Sequence, residues 1–292
     1  MTDIMQIPHR TGRVRSGDVS LFYRAFGQPG KIPLLIAHGM SYFSYDWIPA
    51  AARLCADREV VAADTRGFGE SDWSPTGDNS VPALSRDLIA LVTHFGWKDV
   101  ILVGHSMSGR STSLAAAENP SRVKGLVLVD FIPDNAPGGA RRVADKVSSQ
   151  PDIFASIDEA MRYFDVDPES DAGRARRARF EAYLKPVDGG FRLKRDLHYR
   201  NQFRRQKETG EKAKLGVDMW EVIGRIRCPI LSIRGIRSDM YLGDAMGKMA
   251  AANPNLRVVE VDAGHDVAGD NLDGFVGAVR PFLDTVDAAA RR

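Results

Sequence analysis

Cysteine is rare in this sequence, and long apolar runs are absent. The 292 residues include only two cysteines, Cys55 and Cys228. These lie far apart without the spacing of a metal site, so two free thiols in a reducing compartment are predicted rather than a disulfide framework. No apolar run approaches the roughly 18 residues that span a bilayer, and the first residues lack the basic region and apolar stretch of a secretory signal. We therefore expect a cytoplasmic protein that does not enter a membrane.

The chain also lacks a large excess of positive or negative residues. Lys and Arg number 40 and Asp and Glu 38, for a net charge of +2, which gives no general affinity for polyanions. The stretch 172–214 is an exception, with 14 Lys and Arg against 5 Asp and Glu, a local +9 that leaves −7 for the rest of the chain. Such a run forms either a solvated helical face or a surface that attracts an anionic, carboxylate-bearing substrate. Nucleic acid is disfavoured as a partner because the run lacks interleaved aromatic residues.

The sequence does contain a serine at an abrupt junction between a strand and a helix. Residues 100–103 are apolar and strand-like, Gly104-His105-Ser106-Met107-Ser108-Gly109 follows, and a helix-forming run then ends at Asn119-Pro120. A sharp strand-to-helix turn that exposes a serine hydroxyl is a nucleophile elbow, and it needs small residues on both sides. Ser108 stands where the usual Gly-x-Ser-x-Gly pattern has its second glycine, and serine is small enough to fit there. The pattern predicts that Ser106 is a nucleophile.

Strands and helices alternate in the first and last parts of the chain. Short apolar runs predict buried strands, and segments with helical spacing separate them. This alternation predicts an α/β fold with a mostly parallel, doubly wound sheet that helices cover on both faces. It stops between residues 133 and 218, where the sequence reads mainly as charged helices. We therefore predict a core of residues 1–132 and 219–292 and a helical insertion at 133–218, called the insert below.

Four motifs occur in the order and at the spacing of the α/β-hydrolase fold superfamily. They are His38-Gly39, the run from Asp64 to Ser71, the run from Gly104 to Gly109, and Ala263-Gly264-His265. The chain resembles that superfamily over nearly its whole length, and the insert falls where those proteins carry a helical lid. The resemblance implies a hydrolase with a serine nucleophile that needs neither cofactor nor metal.

Activation of Ser106 requires a base and an acid from other loops. A serine hydroxyl needs an adjacent base, and a third group must fix the tautomer of that base. His265 is the only histidine in a loop after the last predicted strand, which makes it the candidate base. The superfamily takes its acid from either of two loops, so Asp130 and Asp239 both remain candidates. Asp130, which ends a strand, is preferred because Ser238 occupies the usual position in the later loop and Asp239 comes one residue late.

The loop after the first buried strand is expected to help bind the reacting group. Acyl transfer needs N–H donors aimed at the developing oxyanion, and the resemblance assigns these to the backbone amides of Met40 and Met107. Gly39, Tyr42 and Trp47 are expected to contact the substrate, the two aromatic residues as part of one wall of the pocket.

Together these residues predict a serine hydrolase that cleaves a carboxylic ester or lactone through an acyl-enzyme. Members of the superfamily use the same machinery on C–C bonds of acidic 1,5-diketones (meta-cleavage products), which would suit the basic insert, so that alternative stays open. A non-catalytic small-molecule receptor on the same fold is a further alternative. It is disfavoured because serine, histidine and two candidate acids are all present. The identity of the substrate and the oligomeric state do not follow from the sequence.

Overall fold

The computed structural model describes residues 6–134, 136–211, 215–241 and 243–290. These ranges contain ten strands: β1 (Arg10–Ser16), β2 (Val19–Phe26), β3 (Leu34–Ala37), β4 (Val60–Ala63), β5 (Val100–His105), β6 (Val123–Val129), β7 (Leu184–Val187), β8 (Gly190–Leu193), β9 (Ile230–Gly235) and β10 (Leu256–Val261). Eight of them form one sheet in the spatial order β1, β2, β4, β3, β5, β6, β9, β10. The strands from β4 to β10 in that order pair in parallel, whereas β2 pairs antiparallel with both β1 and β4.

Helices cover both faces of this sheet. Over the described ranges they are α1 (Ile48–Leu54), α2 (Val81–His94), α3 (Ser108–Glu118), α4 (Pro137–Ser148), α5 (Ile157–Tyr163), α6 (Asp171–Tyr183), α7 (Leu197–Thr209), α8 (Met219–Arg225), α9 (Ala245–Ala252), α10 (Val267–Asp270) and α11 (Leu272–Ala290). The apolar sides of α2, α3, α8 and α9 pack on one face, and those of α1 and α11 pack on the other. This confirms the predicted fold class.

Strand β3 shows why its sequence is continuously apolar. Leu35 and Ala37 belong to the core on one face of the sheet, whereas Leu34 and Ile36 belong to the core on the other face. Successive side chains of a strand point to opposite faces, so a strand covered on both sides has no position for a polar residue. The same arrangement places the polar residues of the chain in the loops at the ends of the strands.

The carboxyl ends of the parallel strands lie at one edge of the sheet, where ligands bind in open α/β folds. Ser106 follows β5 directly, Asp130 follows the adjacent β6, and His265 lies in the loop after β10. Three segments that are distant in sequence therefore reach the same edge.

The insert lies above that edge and differs in one respect from the expectation of mainly helices. It contains α4, α5, α6 and α7, but α6 ends at Tyr183 and an antiparallel hairpin of β7 and β8 follows. Its turn holds Gly189 and Gly190, both at positive φ, a conformation that glycine adopts at little cost. Each strand has only four residues, too few to show a clear period of two beside a charged helix.

Candidate active site

Ser106 occupies a strained turn between β5 and α3. Its φ is +50°, a value that residues with a side chain adopt rarely and mainly where the surrounding structure enforces it. Gly104 permits the turn, because a Cβ there would lie 2.1 Å from Thr112 Oγ1. Ser108, in the place of the usual second glycine, donates a hydrogen bond of 2.6 Å from its hydroxyl to the carbonyl of His38. The departure from the common pattern therefore ties the elbow to the end of β3.

The structure brings Ser106, His265 and Asp130 into one hydrogen-bonded chain. His265 Nε2 lies 2.9 Å from Ser106 Oγ, and His265 Nδ1 lies 2.6 Å from Asp130 Oδ2. Both distances are within the range of strong hydrogen bonds. With Nδ1 donating to the carboxylate, Nε2 is free to accept the serine proton. The arrangement can therefore activate a hydroxyl nucleophile.

Asp130 is held in this position by three donors and a strained backbone. Its φ is +45°, its carboxylate is fully buried, and Oδ1 accepts a hydrogen bond of 2.9 Å from the Gly235 amide. Its Oδ2 accepts a second bond, of 2.5 Å, from the Ser238 hydroxyl besides the one from His265. Ser238, which stands where the later loop usually carries the acid, instead orients the acid supplied by β6.

Asp239, the alternative acid, takes no part in this chain. Both of its carboxylate oxygens accept hydrogen bonds of 2.7 Å from Arg142 of α4, and about half of its side chain is exposed. Asp130, the preferred candidate, therefore lies beside His265, whereas Asp239 lies beside Arg142. The side chain of Asp239 points to the insert, whereas the hydroxyl of Ser238, one residue earlier, points to Asp130.

His105, which the sequence assigned only to the turn motif, fixes the loop of His265. Its Nε2 lies 2.9 Å from the backbone oxygen of His265 and donates to it. Burial lowers the pKa of His105 to about 3, so the ring is neutral at physiological pH. Residue 105 also approaches the β3 loop closely, since a Cβ on Gly39 would lie 2.8 Å from His105 Nδ1 and 3.0 Å from Ser106 Cβ. The sequence contains no signal for these contacts, because they join residues more than sixty positions apart.

A cavity of about 1440 Å³ lies between the core and the insert and opens onto Ser106, His265 and Asp130. Its lining includes Ser106, His265, Met40, Met107 and Tyr42. Helices α4, α6 and α7 of the insert supply much of the opposite wall. The cavity is large enough for a small organic substrate.

Two expectations about substrate contacts are corrected by this geometry. Trp47 is 3% exposed and packs edge-on against His105 and Phe275, so it supports the site from below and does not line the cavity. It lies at the end of a 3-10 turn that leads into α1, and that turn directs its ring to the core. Gly39 also lies outside the cavity lining, and its lack of a side chain permits the close approach of Ser106.

Two arginines of the insert hold the loop that carries Met40. Arg179 of α6 donates from Nη2 to the carbonyl of Ser41 at 2.9 Å and to Asp46 Oδ2 at 3.1 Å. Buried Arg195 donates to the Ser41 hydroxyl. Ser41 has a φ of +67°, so these contacts stabilise a backbone conformation that serine seldom adopts. The insert therefore helps to shape the loop beside the nucleophile.

Comparison with known proteins identifies the family to which this fold belongs. The sequence profile of the alpha/beta hydrolase fold matches residues 32–272. The chain belongs to the α/β-hydrolase fold family. It is 31% identical to the 3-hydroxybutyrate-oligomer hydrolase of Cupriavidus necator, over 83% of this chain and 86% of that protein.

Further similar hydrolases are matched over nearly their full length. The 2-(acetamidomethylene)succinate hydrolase of Mesorhizobium japonicum is 28% identical over 93% of this chain and 94% of that protein. The N-formylmaleamate deformylase of Pseudomonas putida is 27% identical over 94% and 96%. A crystal structure of E-2-(acetamidomethylene)succinate hydrolase superposes with a TM-score of 0.80 at 26% identity and covers 95% of this chain and 100% of that chain. This α/β-hydrolase is therefore an enzyme of the hydrolase class.

Neither a membrane helix nor a metal site is found in the described ranges of this α/β-hydrolase. No helix there is both long enough and apolar enough to cross a bilayer. No three His, Cys, Asp or Glu side chains in those ranges converge as metal ligands would.

Asp266, beside the histidine, gives a pH-dependent stability that can be measured. Burial, reinforced by the charge of Asp46, raises its pKa from 3.8 to about 6. The folded state then binds the proton more tightly than the unfolded state, so ionisation destabilises the fold increasingly from about pH 4 to pH 6 and constantly above. We expect Asp266→Asn, whose amide oxygen can still cap α10, to raise the Tm by roughly 2–4 °C above pH 6 and by nothing below pH 4. Thermal unfolding followed across this range tests the sign, and an equal change at every pH would contradict it.

Proposed function

We propose that this α/β-hydrolase cleaves a carboxylic ester or lactone through an acyl-enzyme. Ser106 attacks the carbonyl carbon while His265 accepts the hydroxyl proton, and the imidazolium is stabilised by Asp130. His265 then donates the proton to the leaving alcohol, so that an ester between Ser106 and the acyl group remains. Water, deprotonated by His265, hydrolyses this ester and restores the serine.

The observation that carries the proposal is the pair of distances at His265. Nε2 faces the serine oxygen at 2.9 Å while Nδ1 faces a fully buried carboxylate at 2.6 Å. A histidine placed only for packing has no need of a strained nucleophile on one side and a strained acid on the other. The geometry therefore supports general base catalysis by His265 on Ser106.

The backbone amides of Met40 and Met107 are the proposed donors to the oxyanion. Both residues line the cavity beside Ser106. Neither amide donates a hydrogen bond to another group in the described ranges. Unpaired N–H groups at such a position can stabilise the negative charge that develops on the carbonyl oxygen.

The named relatives support both the reaction and a substrate class. All three are hydrolases or a deformylase, which favours turnover over the function of a receptor. The names hydroxybutyrate, succinate and maleamate each denote a carboxylate. We therefore propose an acyl substrate that also carries a carboxylate. None of the three is named for a 1,5-diketone, the substrate class of the alternative C–C hydrolase.

Labelling by a fluorophosphonate tests the nucleophile without knowledge of the substrate. Such a probe forms a covalent bond only with an activated serine, so we expect about one adduct per chain, located on Ser106 by peptide mass spectrometry. The matched control is Ser113→Ala in the same helix, which removes a buried hydroxyl that has no hydrogen-bond partner among the described residues and should label at the wild-type rate. A folded wild-type protein that does not react would remove the serine hydrolase from consideration and favour a receptor.

A further inference from the structure

Arg110 is a cation in the cavity without a counter-charge. It lies in the first turn of α3, four residues after Ser106, and lines the same cavity. Its Nε is buried and has no hydrogen-bond partner. None of the ion pairs in the described ranges includes it.

The other basic residues of the cavity lining are in a different situation. Arg142 pairs with Asp239, Lys146 with Asp165, and Arg179 with Asp46. Arg176 is exposed to solvent. Arg110 is therefore a half-buried cation of the cavity lining whose Nε is shielded from solvent and for which the described ranges provide no ion-pair partner.

The position of Arg110 is unfavourable for the stability of the folded protein. Burial lowers the pKa of the Arg110 guanidinium, and no carboxylate counteracts that effect. A buried charge without a partner is costly, and a cation in the first turn of a helix is repelled by the positive end of the helix dipole. Violations of this kind concentrate at functional sites. An anion bound beside Arg110 would remove both penalties at once.

We propose that Arg110 binds the carboxylate of the substrate and so determines specificity for anionic acyl compounds. This inference rests on the proposed function. A guanidinium presents a planar pair of donors that matches the two oxygens of a carboxylate. The helix rise places Arg110 about 6 Å along α3 from the elbow, so the bound carboxylate lies a few bonds from the carbonyl that Ser106 attacks. Arg110 acts on substrate binding and takes no part in proton transfer.

The test compares two esters that differ in one charge, mono-4-nitrophenyl adipate and 4-nitrophenyl hexanoate. We expect wild type to prefer the adipate ester in kcat/KM, after subtraction of spontaneous hydrolysis. Arg110→Met, of similar length but neutral, should lower the ratio of the two kcat/KM values about 100-fold, because one partner of a buried charge pair is lost. Arg110→Lys should retain part of the preference, since it keeps the charge but not the planar donors. The control Arg225→Met removes an exposed cation of α8 outside the cavity and should leave the ratio unchanged.

Two outcomes overturn the assignment. One is a wild-type protein whose Ser106 reacts with fluorophosphonate but which shows no preference for the adipate ester, or does not turn it over. The other is an Arg110→Met protein in which kcat/KM falls by the same factor for both esters, which indicates a structural role. Fluorophosphonate labelling of Arg110→Met is read in parallel, because the neutral probe reports the state of Ser106 alone. Loss of labelling in wild type would instead contradict the proposed function itself.

Discussion

Asp130→Asn is expected to lower kcat for a 4-nitrophenyl ester about 10⁴-fold. An asparagine in this place can turn its NH₂ group to His265 Nδ1, which then has to accept a hydrogen bond, so the proton moves to Nε2. The histidine would present a donor to Ser106 and could not accept its proton. Gly235 would then donate to an amide oxygen, which is a weaker acceptor than the carboxylate. The Ser238 hydroxyl, which donates to the same Oδ2 as His265, would face the new NH₂ group. Initial rates at saturating substrate measure the effect.

Asp239→Asn is the matched control for the identity of the acid. It removes one charge from an exposed pair with Arg142, and pairs of this kind contribute little to stability. We expect kcat to change by less than about threefold, the scale of such surface effects. A large loss in Asp239→Asn together with a small loss in Asp130→Asn would reverse the assignment. Circular dichroism of both variants verifies that each remains folded.

Ser106→Ala is expected to lower kcat about 10⁶-fold. The hydroxyl forms the covalent bond to the acyl group, and no neighbouring group can replace it. The residual rate comes from substrate binding and from donors to the oxyanion. Since Ser106 and His265 act as a unit, the double variant Ser106→Ala/His265→Ala should be no slower than Ser106→Ala alone.

The double variant distinguishes a coupled pair from two independent residues. If His265 acted on a group other than Ser106, the second substitution would lower the rate further by its own factor. Ser113→Ala serves again as the matched control, because it removes a serine hydroxyl from α3 at a distance from the cavity lining, and its kcat should equal that of wild type. Variants are purified to exclude traces of wild-type enzyme, whose activity would otherwise limit the smallest measurable rate.

The elbow is a local sequence pattern, whereas the position of His265 depends on the order of the strands along the chain. A strand, a turn of small residues and a helix are contiguous around Ser106, and the order of strands along the chain determines which loops share the carboxyl edge of the sheet. The continuous apolar runs likewise predicted strands buried on both faces, which β3 illustrates. Patterns within a dozen residues were sufficient for the elbow and the strands, but not for the position of His265.

The choice between the two acids depended on contacts across the chain. Asp130 faces His265 because the end of β9 supplies the Gly235 amide and the Ser238 hydroxyl, more than a hundred positions later in sequence. Gly235 lets that strand end approach the histidine loop, since a Cβ there would lie 2.1 Å from the Gly264 oxygen. Sequence spacing gave a preference for Asp130 but not this network.

The direction of single side chains was the least predictable property. Tyr42 lines the cavity while Trp47, five residues later, faces the core, and a 3-10 turn between them decides the difference. No sequence pattern singled out Arg110, because its significance depends on having no partner in three dimensions over the described ranges. Such properties arise from packing and leave no periodic signal.

The contacts of Arg179 and Arg195 with Ser41 have a consequence for how this enzyme can diversify. Exchange of residues 133–218 for the equivalent segment of another hydrolase would replace the wall of the cavity, but it would also remove two donors that hold the loop of Met40. Recombination at these boundaries therefore changes substrate recognition and catalytic competence together. A grafted segment functions only if it brings its own cations to Ser41, or if Ser41 is replaced by glycine, which adopts positive φ without such support.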